Sequence, residues 1–278
     1  MHHEISAIIL NYKHPKDTIS CLRALLKTDA GKEVAYYIVD NSPDERFERE
    51  IKKQHPEINY IASPTNLGFA AGNNQAIRKI LGSGSQYILI INPDVVVEKS
   101  FFRPLLSDFA KDKMAGVVAP AIRHQQKGIT FFGLWGKVDW KTGKATHVNL
   151  RQLPKNKTVK KAEFVTFACV LVKADVFRKV GLLDERYFMY LEDVDFCLQA
   201  KEAGFHILLD QNVVVDHQTS SSFKRPTDKL AISFRSQLLF INKWLRFPNN
   251  VVPILFAMLL YPYLYVLWTY HFYKRDFS

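Results

Sequence analysis

The side chains best suited to chemistry lie in two acidic clusters. Asn92-Pro93-Asp94 directly follows an apolar run at residues 87–91, and Glu192-Asp193 opens a later segment with helical spacing. A carboxylate at the end of a buried strand can bind a hard cation such as Mg²⁺, which completes its coordination with phosphate oxygens. A carboxylate at the start of a helix can remove a proton from a hydroxyl group. The two clusters therefore indicate a metal site and a general base.

Each cluster also has a structural explanation. Asn-Pro-Asp is a common turn composition, and acidic residues stabilise helix N-termini through the helix dipole. The strand period of two places Asn92 on the same side as Asp94, and one acid beside one amide suits a metal held mainly by its substrate. The functional interpretation is favoured because other candidate side chains also follow predicted strands.

Two further candidates occupy such positions. Asp40 ends the run 36–39 and could accept hydrogen bonds from a nucleotide base or a ribose hydroxyl. The alternative is that this turn caps the next helix. His217 follows the run 213–215 and could bind a metal or a diphosphate, although a lone histidine after a strand is more often structural.

The segment 66–74 is rich in glycine, alanine and asparagine and leads into a predicted helix. Its small residues, Gly68 among them, would let the backbone approach a ligand, and a helix N-terminus favours anions. It is not a dinucleotide fingerprint, because Asn11 and the residues after it stand where GxGxxG would be needed. No GxxxxGK[ST] phosphate loop is present either.

The elements that position these residues follow from the hydrophobic pattern. Apolar runs at 5–10, 36–39, 60–62 and 87–91 predict strands, and the segments between them predict helices, including 45–54 and 69–81. This alternation predicts an α/β fold with a mostly parallel sheet, whose strand ends share one rim. We expect a nucleotide-binding half at about 1–115.

The second half, 116–222, follows a different pattern. Strands are predicted at 117–119, 164–172, 207–209 and 213–215, and a helix at 193–203 that ends at Gly204. The stretch 122–157 predicts hairpins or a mobile loop. Asp195 is expected to serve the helix end or a basic neighbour.

Composition limits the choice of partners. The chain has 278 residues, and its formal charge of +11 suits a phosphate-bearing substrate or a phospholipid surface. The basic residues are scattered, which argues against a nucleic-acid groove. The three cysteines are widely spaced in apolar contexts and predict reduced thiols in a cytoplasmic protein. The first apolar run is too short for a secretory signal.

Residues 223–278 predict a helical extension. Residues 251–273 contain no Asp, Glu, Lys or Arg, and as a helix they would be about 34 Å long, against a hydrocarbon core of about 30 Å. Pro253 and Pro262 are expected to interrupt this segment, and its tyrosines are typical of a membrane interface. The alternative is a helix packed on the domain or on a second subunit, as in a homodimer.

Taken in order, these motifs resemble family 2 glycosyltransferases, which are inverting, metal-dependent enzymes of GT-A fold, and among them the rhamnosyltransferase-like branch. The resemblance covers roughly residues 5 to 220. It rests on the following stretches: Ile8-Ile9-Leu10-Asn11-Tyr12, Val39-Asp40-Asn41-Ser42, Asn66-Leu67-Gly68-Phe69-Ala70-Ala71-Gly72-Asn73, Asn92-Pro93-Asp94, Phe188-Met189-Tyr190-Leu191-Glu192-Asp193-Val194-Asp195 and His217.

The resemblance implies a role for each candidate. Asp40 would read the nucleotide base, Asp94 would hold Mg²⁺ or Mn²⁺ with help from His217, and Asp193 would be the general base. The remaining assignments are donor binding by Asn11, Asn66, Gly68, Asn73 and Asn92, and acceptor binding by Ala168, Cys169 and Glu192. Two residues depart from the family pattern: Cys169 stands in a strand of small residues, and Gln199 stands where many members have arginine.

The expected function is transfer of rhamnose or another hexose from a UDP- or dTDP-sugar to a surface glycan or lipid-linked saccharide. Such an enzyme would work in the cytoplasm at the inner face of the cell membrane. One alternative is a membrane-associated protein that binds glycan or nucleotide on this fold without turnover. A sugar-phosphate nucleotidyltransferase is the other, but the glycine- and arginine-rich loop that it needs after the first strand is absent.

Overall fold

One mixed sheet of twelve strands organises the chain, with helices packed on both of its faces. The computed structural model describes residues 3–126, 128–218 and 226–276, and within the last range the side chains of 227–269. The elements of the first half are β1 (Ile5–Asn11), α1 (Pro15–Leu26), β2 (Val34–Asp40), α2 (Glu45–Gln54), β3 (Asn59–Ala62), α3 (Gly68–Ser83), β4 (Tyr87–Ile91), β5 (Val95–Val96) and α4 (Phe102–Lys111).

The second half contains longer strands and hairpins before it returns to helices. Its elements are β6 (Ala115–Gln126), β7 (Ile129–Asp139), β8 (Lys144–Leu150), β9 (Val159–Lys161), β10 (Phe164–Val165), β11 (Cys169–Lys173), α5 (Ala174–Val180), α6 (Glu192–Glu202), β12 (His206–His217), α7 (Pro226–Trp244) and α8 (Val251–Asp276).

The first half confirms the predicted α/β arrangement. Strands β3, β2, β1 and β4 are parallel neighbours in that order. Their β-branched residues are buried on both faces, as parallel strands covered by helices require. Side chains alternate along β4, so that Ile88 and Ile90 join the core on one face while Leu89 and Ile91 join the core on the other. The parallel register brings Asn11 beside Asp40 at the carboxyl edge.

The second half adds antiparallel pairs, so the sheet as a whole is mixed. Strand β12 runs parallel to β6, and β11 lies antiparallel between β4 and β6. Strands β6, β7 and β8 form antiparallel hairpins joined by short connections. The stretch 122–157 is therefore built largely from these hairpins.

Two strand predictions were also wrong in detail. The run 164–172 is broken at residues 166–168 into β10 and β11, because the backbone turns there to meet the end of β4. The runs 207–209 and 213–215 belong to the single strand β12, whose register against β6 shifts between Asp210 and Val214. A bulge of this kind absorbs extra polar residues without ending the strand.

Helix α7 is packed into the domain, although the sequence groups it with an extension. Leu230, Phe240 and Ile241 are buried, and Gln237 Nε2 donates to the Gly143 carbonyl at 2.5 Å. The boundary predicted at residue 222 lies outside the described residues. Helix α7 therefore belongs structurally with α6 and the β7–β8 hairpin.

Helix α8 runs through Pro262 without ending there, so the predicted interruption is wrong. A proline inside a helix removes one backbone hydrogen bond but does not always end the helix, and Pro253 lies in the first turn, where prolines are tolerated. Within the described residues, Val251–Thr269 is long and apolar enough to cross a membrane, and only 11% of that window is buried.

The start of α3 contacts the loop before α6 at Gly68. Its φ is +80°, and a Cβ at this position would lie 2.1 Å from the Phe188 carbonyl oxygen. The amide of Phe69 donates to that same oxygen at 2.7 Å. Only glycine allows this approach without strain, because side chains disfavour positive φ and no space is left for a Cβ.

We expect Gly68→Ala to destabilise the protein by about 2 kcal/mol or more, because left-handed backbone alone costs about 1–2 kcal/mol for an L-residue and the clash adds to it. Urea unfolding would measure the loss. Gly82→Ala is the matched control in the same helix, since a Cβ there meets nothing within 4 Å. It should be neutral or stabilising by up to about 1 kcal/mol. Equal effects of the two variants would contradict this reading of Gly68.

Two carboxyl groups, those of Asp108 in α4 and Asp210 in β12, lie beside each other. Asp108 is buried, and burial together with the neighbouring Asp210 raises its pKa to about 6. A carboxyl whose pKa is higher in the folded than in the unfolded chain favours folding while it is protonated. That contribution is present below the unfolded pKa of 3.8 and is lost as the pH rises through about 6.

Asp108→Asn should therefore raise the melting temperature at pH 8 and change it little at pH 4, because asparagine imitates the protonated acid. The free energy of unfolding at pH 8 should rise by an amount on the order of 2 kcal/mol. Asp175→Asn is the control, because that side chain is 74% exposed. A gain for Asp108→Asn that is the same at both pH values would rule out the proposed linkage.

Candidate active site

Strand ends from both halves of the sheet meet at one rim. Strands β1, β2 and β4 end in parallel at this edge, followed by Asp94. Strand β12 reaches the same place because its last residue, His217, pairs with Val95 of β5. The amide of Gln218 then donates to the Asp94 carbonyl at 2.9 Å. Predicted residues that are far apart in sequence are thus brought together.

Asp40 is fully buried and its carboxylate accepts hydrogen bonds from its own chain. Asn11 Nδ2 donates to Oδ1 at 2.8 Å, and the Ser42 amide donates to the same oxygen at 2.9 Å. The Tyr60 hydroxyl donates to Oδ2 at 2.5 Å. Burial, together with the hydrogen bond to Asp40 and the charge of that carboxylate, raises the pKa of Tyr60. The network fixes the end of β2, and a contact of Asp40 with a nucleotide base stays a prediction.

The segment 66–74, which contains the entry to α3 and its first turns, contacts both the end of β2 and the loop before α6. Asn66 Oδ1 accepts from the Gly68 amide at 3.0 Å, and Asn41 Nδ2 donates to the Gly68 carbonyl at 2.8 Å. Asn74 bonds the backbone of Leu183, ahead of α6. The small residues therefore allow contacts between protein segments. The predicted approach to a ligand is not tested by these contacts.

Asn73, in the second turn of α3, has a side chain that is only partly hydrogen-bonded. Its Nδ2 donates to the Phe69 carbonyl at 2.9 Å, but its buried Oδ1 has no hydrogen-bond partner among the described residues. A buried acceptor without a donor costs free energy. A ligand donor or a small local movement would relieve this cost.

Asp94 and His217 are in direct contact. His217 Nε2 lies 3.1 Å from Asp94 Oδ1, and both side chains are largely buried. Within the described residues, no group of three or more His, Cys, Asp or Glu side chains could hold a metal ion. This pair can supply two ligands, and a substrate diphosphate would have to supply others.

The spacing of the pair fits a divalent cation. Octahedral Mg²⁺ has ligands at about 2.0–2.1 Å, which places adjacent ligands about 3 Å apart, close to the observed separation of the two atoms. Carboxylate oxygen suits Mg²⁺ and Mn²⁺, and neutral imidazole is a common metal ligand.

Asp193 occupies the first turn of α6 and is partly exposed. Its Oδ1 accepts from the Val194 amide at 2.8 Å and its Oδ2 from the Phe167 amide at 3.4 Å. Burial raises the pKa of Asp193, while the charge of His147 and the two backbone hydrogen bonds oppose that rise. A carboxylate with a raised pKa is a stronger base, which suits proton removal from a hydroxyl.

Glu192, the neighbouring acid, is in a more restrictive environment. It is 5% exposed, and its Oε2 has no hydrogen-bond partner among the described residues. Burial and the charge of Asp193 raise its pKa well above the usual value. Glu192 is therefore favoured as the neutral acid, which leaves the negative charge on Asp193.

The turn that presents these two acids is strained. Tyr190 and Leu191 have φ values of +72° and +69°, a conformation that costs about 1–3 kcal/mol for each such residue and persists only where surrounding contacts hold it. The Ser236 hydroxyl of α7 donates to the Met189 carbonyl at 2.8 Å. The ammonium group of Lys229 lies over the Tyr190 ring.

Residues 166–168 contact both the end of β4 and the start of α6. The Asn92 amide donates to the Ala168 carbonyl at 2.8 Å, and the Phe167 amide reaches Asp193. Cys169 is fully buried in the core beside Cys21, and burial raises the pKa of both thiols. A direct contact of Cys169 with an acceptor would require this strand to move, so that contact stays a prediction.

Several side chains at the site were missed by sequence reasoning. His147 comes from the hairpin strand β8, and Lys243 and Trp244 from the end of α7. Hairpin register and helix docking bring them in from a distance, and no local pattern announces either. Tyr60 lies in a strand that the pattern predicted, but its contact with Asp40 depends on the pairing of β3 with β2, in which Tyr60 lies opposite Ile38.

The arrangement could bind a cation at Asp94 and His217 and accept a proton at Asp193.

A family model described as "Glycosyltransferase like family 2" matches residues 2–235. The low-salt glycan biosynthesis hexosyltransferase Agl10 of Haloferax volcanii is 28% identical over 255 residues, which cover 87% of this chain and 75% of that protein. The N-acetylglucosaminyl-diphospho-decaprenol L-rhamnosyltransferase of Mycobacterium tuberculosis is 24% identical, over 81% of each chain.

A similar fold is found among solved structures. The structure of GalNAc-T7 with UDP, GalNAc and Mn²⁺ matches with a TM-score of 0.67 at 15% identity, over 87% of this chain. The match covers 48% of that chain, so this protein spans about half of its length. Together, the family model, the named relatives and the mixed sheet with its flanking helices show that this chain belongs to glycosyltransferase-like family 2, in its rhamnosyltransferase-like branch and on a GT-A fold.

Proposed function

We propose that this glycosyltransferase transfers a hexose, with inversion, from a nucleoside diphosphate sugar to a saccharide hydroxyl. The observation that carries the proposal is that Asp193 and the Asp94–His217 pair lie at two ends of one site, which residues 166–168 link through the Asn92 and Asp193 contacts. Asp193 is a partly exposed carboxylate whose pKa is raised. Asp94 and His217 offer two metal-binding atoms about as far apart as adjacent ligands of a cation. These are the groups that a one-step displacement at a sugar carbon needs.

Asp193 is proposed as the general base. It takes the proton of the acceptor hydroxyl while that oxygen forms a bond to C1 of the donor sugar. The bond from C1 to the diphosphate oxygen breaks, and its electron pair leaves with the nucleoside diphosphate. The hydrogen bonds from Phe167 and Val194 hold the carboxylate in place. Neutral Glu192 is proposed to contact the acceptor, with Ala168 and Cys169 near it.

Asp94 and His217 are proposed to hold Mg²⁺ or Mn²⁺. A bound divalent cation would neutralise charge that develops on the departing diphosphate. Asn92, Asn73 and the Gly68 loop are proposed to line the donor side, with Asn66 shaping that loop. Asp40 and Asn11 are proposed to form the base-reading end, where Tyr60 orients the Asp40 carboxylate.

The donor is proposed to be a UDP- or dTDP-sugar. Two features of similar proteins support this choice: GalNAc-T7 was solved with UDP and Mn²⁺, and the mycobacterial relative is named as an L-rhamnosyltransferase.

The acceptor is proposed to be lipid-linked and the enzyme to work at the inner face of the cell membrane. The name of the mycobacterial relative specifies a diphospho-decaprenol acceptor. In this chain, α8 exposes large apolar side chains, including Leu255 at 58% and Leu259 at 76%. The net charge of +11 would favour an anionic lipid surface.

We expect Asp193→Asn to lower kcat by about 10²–10⁴-fold, because the amide cannot accept the hydroxyl proton. The assay is release of nucleoside diphosphate from a panel of UDP- and dTDP-sugars, with lipid-linked saccharides as acceptors and with or without Mn²⁺. Binding of UDP, measured by calorimetry, should be unchanged. In the active enzyme, kcat should fall as the pH drops through the raised pKa of Asp193.

The matched control is Glu202→Gln, an exposed acid at the other end of α6, which should keep wild-type turnover. Full turnover by Asp193→Asn would remove this residue from the mechanism. If the wild type bound UDP but released nothing with any donor and acceptor, a binding protein on a GT-A fold would be the better description.

We expect the protein to sediment with vesicles containing anionic phospholipid, and Leu255→Glu with Leu259→Glu to abolish this, because charged side chains are costly in the acyl region. Ile129→Glu on the β7 hairpin, where Ile129 is 42% exposed, is the matched control and should leave binding intact. Undiminished vesicle binding by the double variant would argue against α8 as the contact. Loss of dimers in that variant, seen by analytical ultracentrifugation, would indicate a second copy instead.

A further inference from the structure

We propose that Lys243, at the end of α7, is a positioning residue that holds the base-bearing turn of α6 in its active shape. This inference rests on the proposed role of Asp193. It assigns a part in the reaction to a helix that the family motifs do not reach.

Lys243 bridges the two ends of the segment that contains the strained turn. Its ammonium nitrogen lies 2.8 Å from Asp184 Oδ2, ahead of the turn, and 2.7 Å from Asp195 Oδ2, within α6. Its side chain is 23% exposed, and that of Asp195 is fully buried. One cation therefore fixes the distance between two points that flank Tyr190 and Leu191.

Asp195 transmits this constraint to the helix. The Trp244 indole nitrogen donates to Oδ1 at 2.8 Å, and Gln199 Nε2 donates to Oδ2 at 2.7 Å. The Asp195 amide donates to the Leu191 carbonyl at 2.9 Å, which is the first helical hydrogen bond beyond the turn. Burial raises the pKa of Asp195 while Lys243 lowers it, so removing the lysine leaves a buried acid without its counter-charge.

Ser236 and Lys229 of α7 also contact the turn, but neither bridges its two ends as Lys243 does. The N-cap residue of α6, Leu191, makes no side-chain cap hydrogen bond and has positive φ. A backbone in this conformation relaxes unless its neighbours hold it. Without the Lys243 bridge, we expect the turn to relax and the Asp193 carboxylate to shift away from the Phe167 amide.

The test compares Lys243→Met and Lys243→Arg in the full chain. The methionine variant keeps the length and apolar volume of the side chain but removes the charge. We expect faster hydrogen–deuterium exchange of the amides at 188–194 and a fall in kcat of about 100-fold, which is the cost of a misplacement of about 1 Å. The KM for the nucleotide sugar should change little. Arginine, which can also pair with two carboxylates, should recover most of both properties.

Arg78→Met is the matched control. Arg78 of α3 forms an ion pair with Glu185, the residue after Asp184, but its side chain is 53% exposed. It should leave exchange and kcat at wild-type levels. Wild-type exchange and kcat in Lys243→Met would overturn the proposal, and so would an arginine variant as impaired as the methionine variant.

Two outcomes need a separate reading. If Lys243→Met does not fold, Asp184→Asn provides the comparison, because it weakens the bridge at its Asp184 end and leaves Lys243 as the counter-charge of buried Asp195. Unchanged exchange and kcat in that variant would then overturn the proposal. If the wild type releases no nucleotide from any donor, the proposed function fails, while the exchange data still decide whether Lys243 holds the turn.

Discussion

The backbone of residues 166–168 is the constraint on which the site depends. It interrupts what would be one long strand, and each side of the break is used: Ala168 accepts from the Asn92 amide, and Phe167 donates to Asp193. The end of β4 and the start of α6 are therefore held in register by a few covalently linked atoms. A short rigid link preserves the distance between two chemical groups better than separate loops could.

The acids at the rim differ in how their charge is satisfied. Asp40 is fully buried and accepts from Asn11, Ser42 and Tyr60, so it fixes local structure at little cost. Glu192 is almost as buried and its Oε2 has no partner among the described residues. Unsatisfied buried groups reduce stability, and proteins retain such costs mainly at functional sites. The buried acid with an unsatisfied oxygen therefore lies at α6, beside the proposed base, and the fully hydrogen-bonded acid lies at the end of β2.

The sequence was sufficient for the parts of the fold that depend on local pattern. Helix α2 and strand β4 have the predicted bounds, and the rim that collects Asp40 and Asp94 follows from parallel strands. His217 joins this rim through the antiparallel pairing of β12 with β5. The break at 166–168 could not be predicted, because Thr166-Phe167-Ala168 contains no glycine or proline and its backbone partner, Asn92, follows the distant strand β4. The bulge in β12 was missed because long-range pairing with β6 decides its register.

Helix α7 shows why the catalytic unit cannot be defined by motifs alone. The motifs end near His217, yet the buried carboxylate of Asp195 takes its cation and an indole donor from residues 243–244. Removing both partners would leave a buried charge uncompensated and would strongly destabilise the folded protein. The same helix packs its Phe234 ring against Tyr261 of α8. Helix α7, which contacts the turn that carries Asp193, therefore also supports the exposed apolar helix.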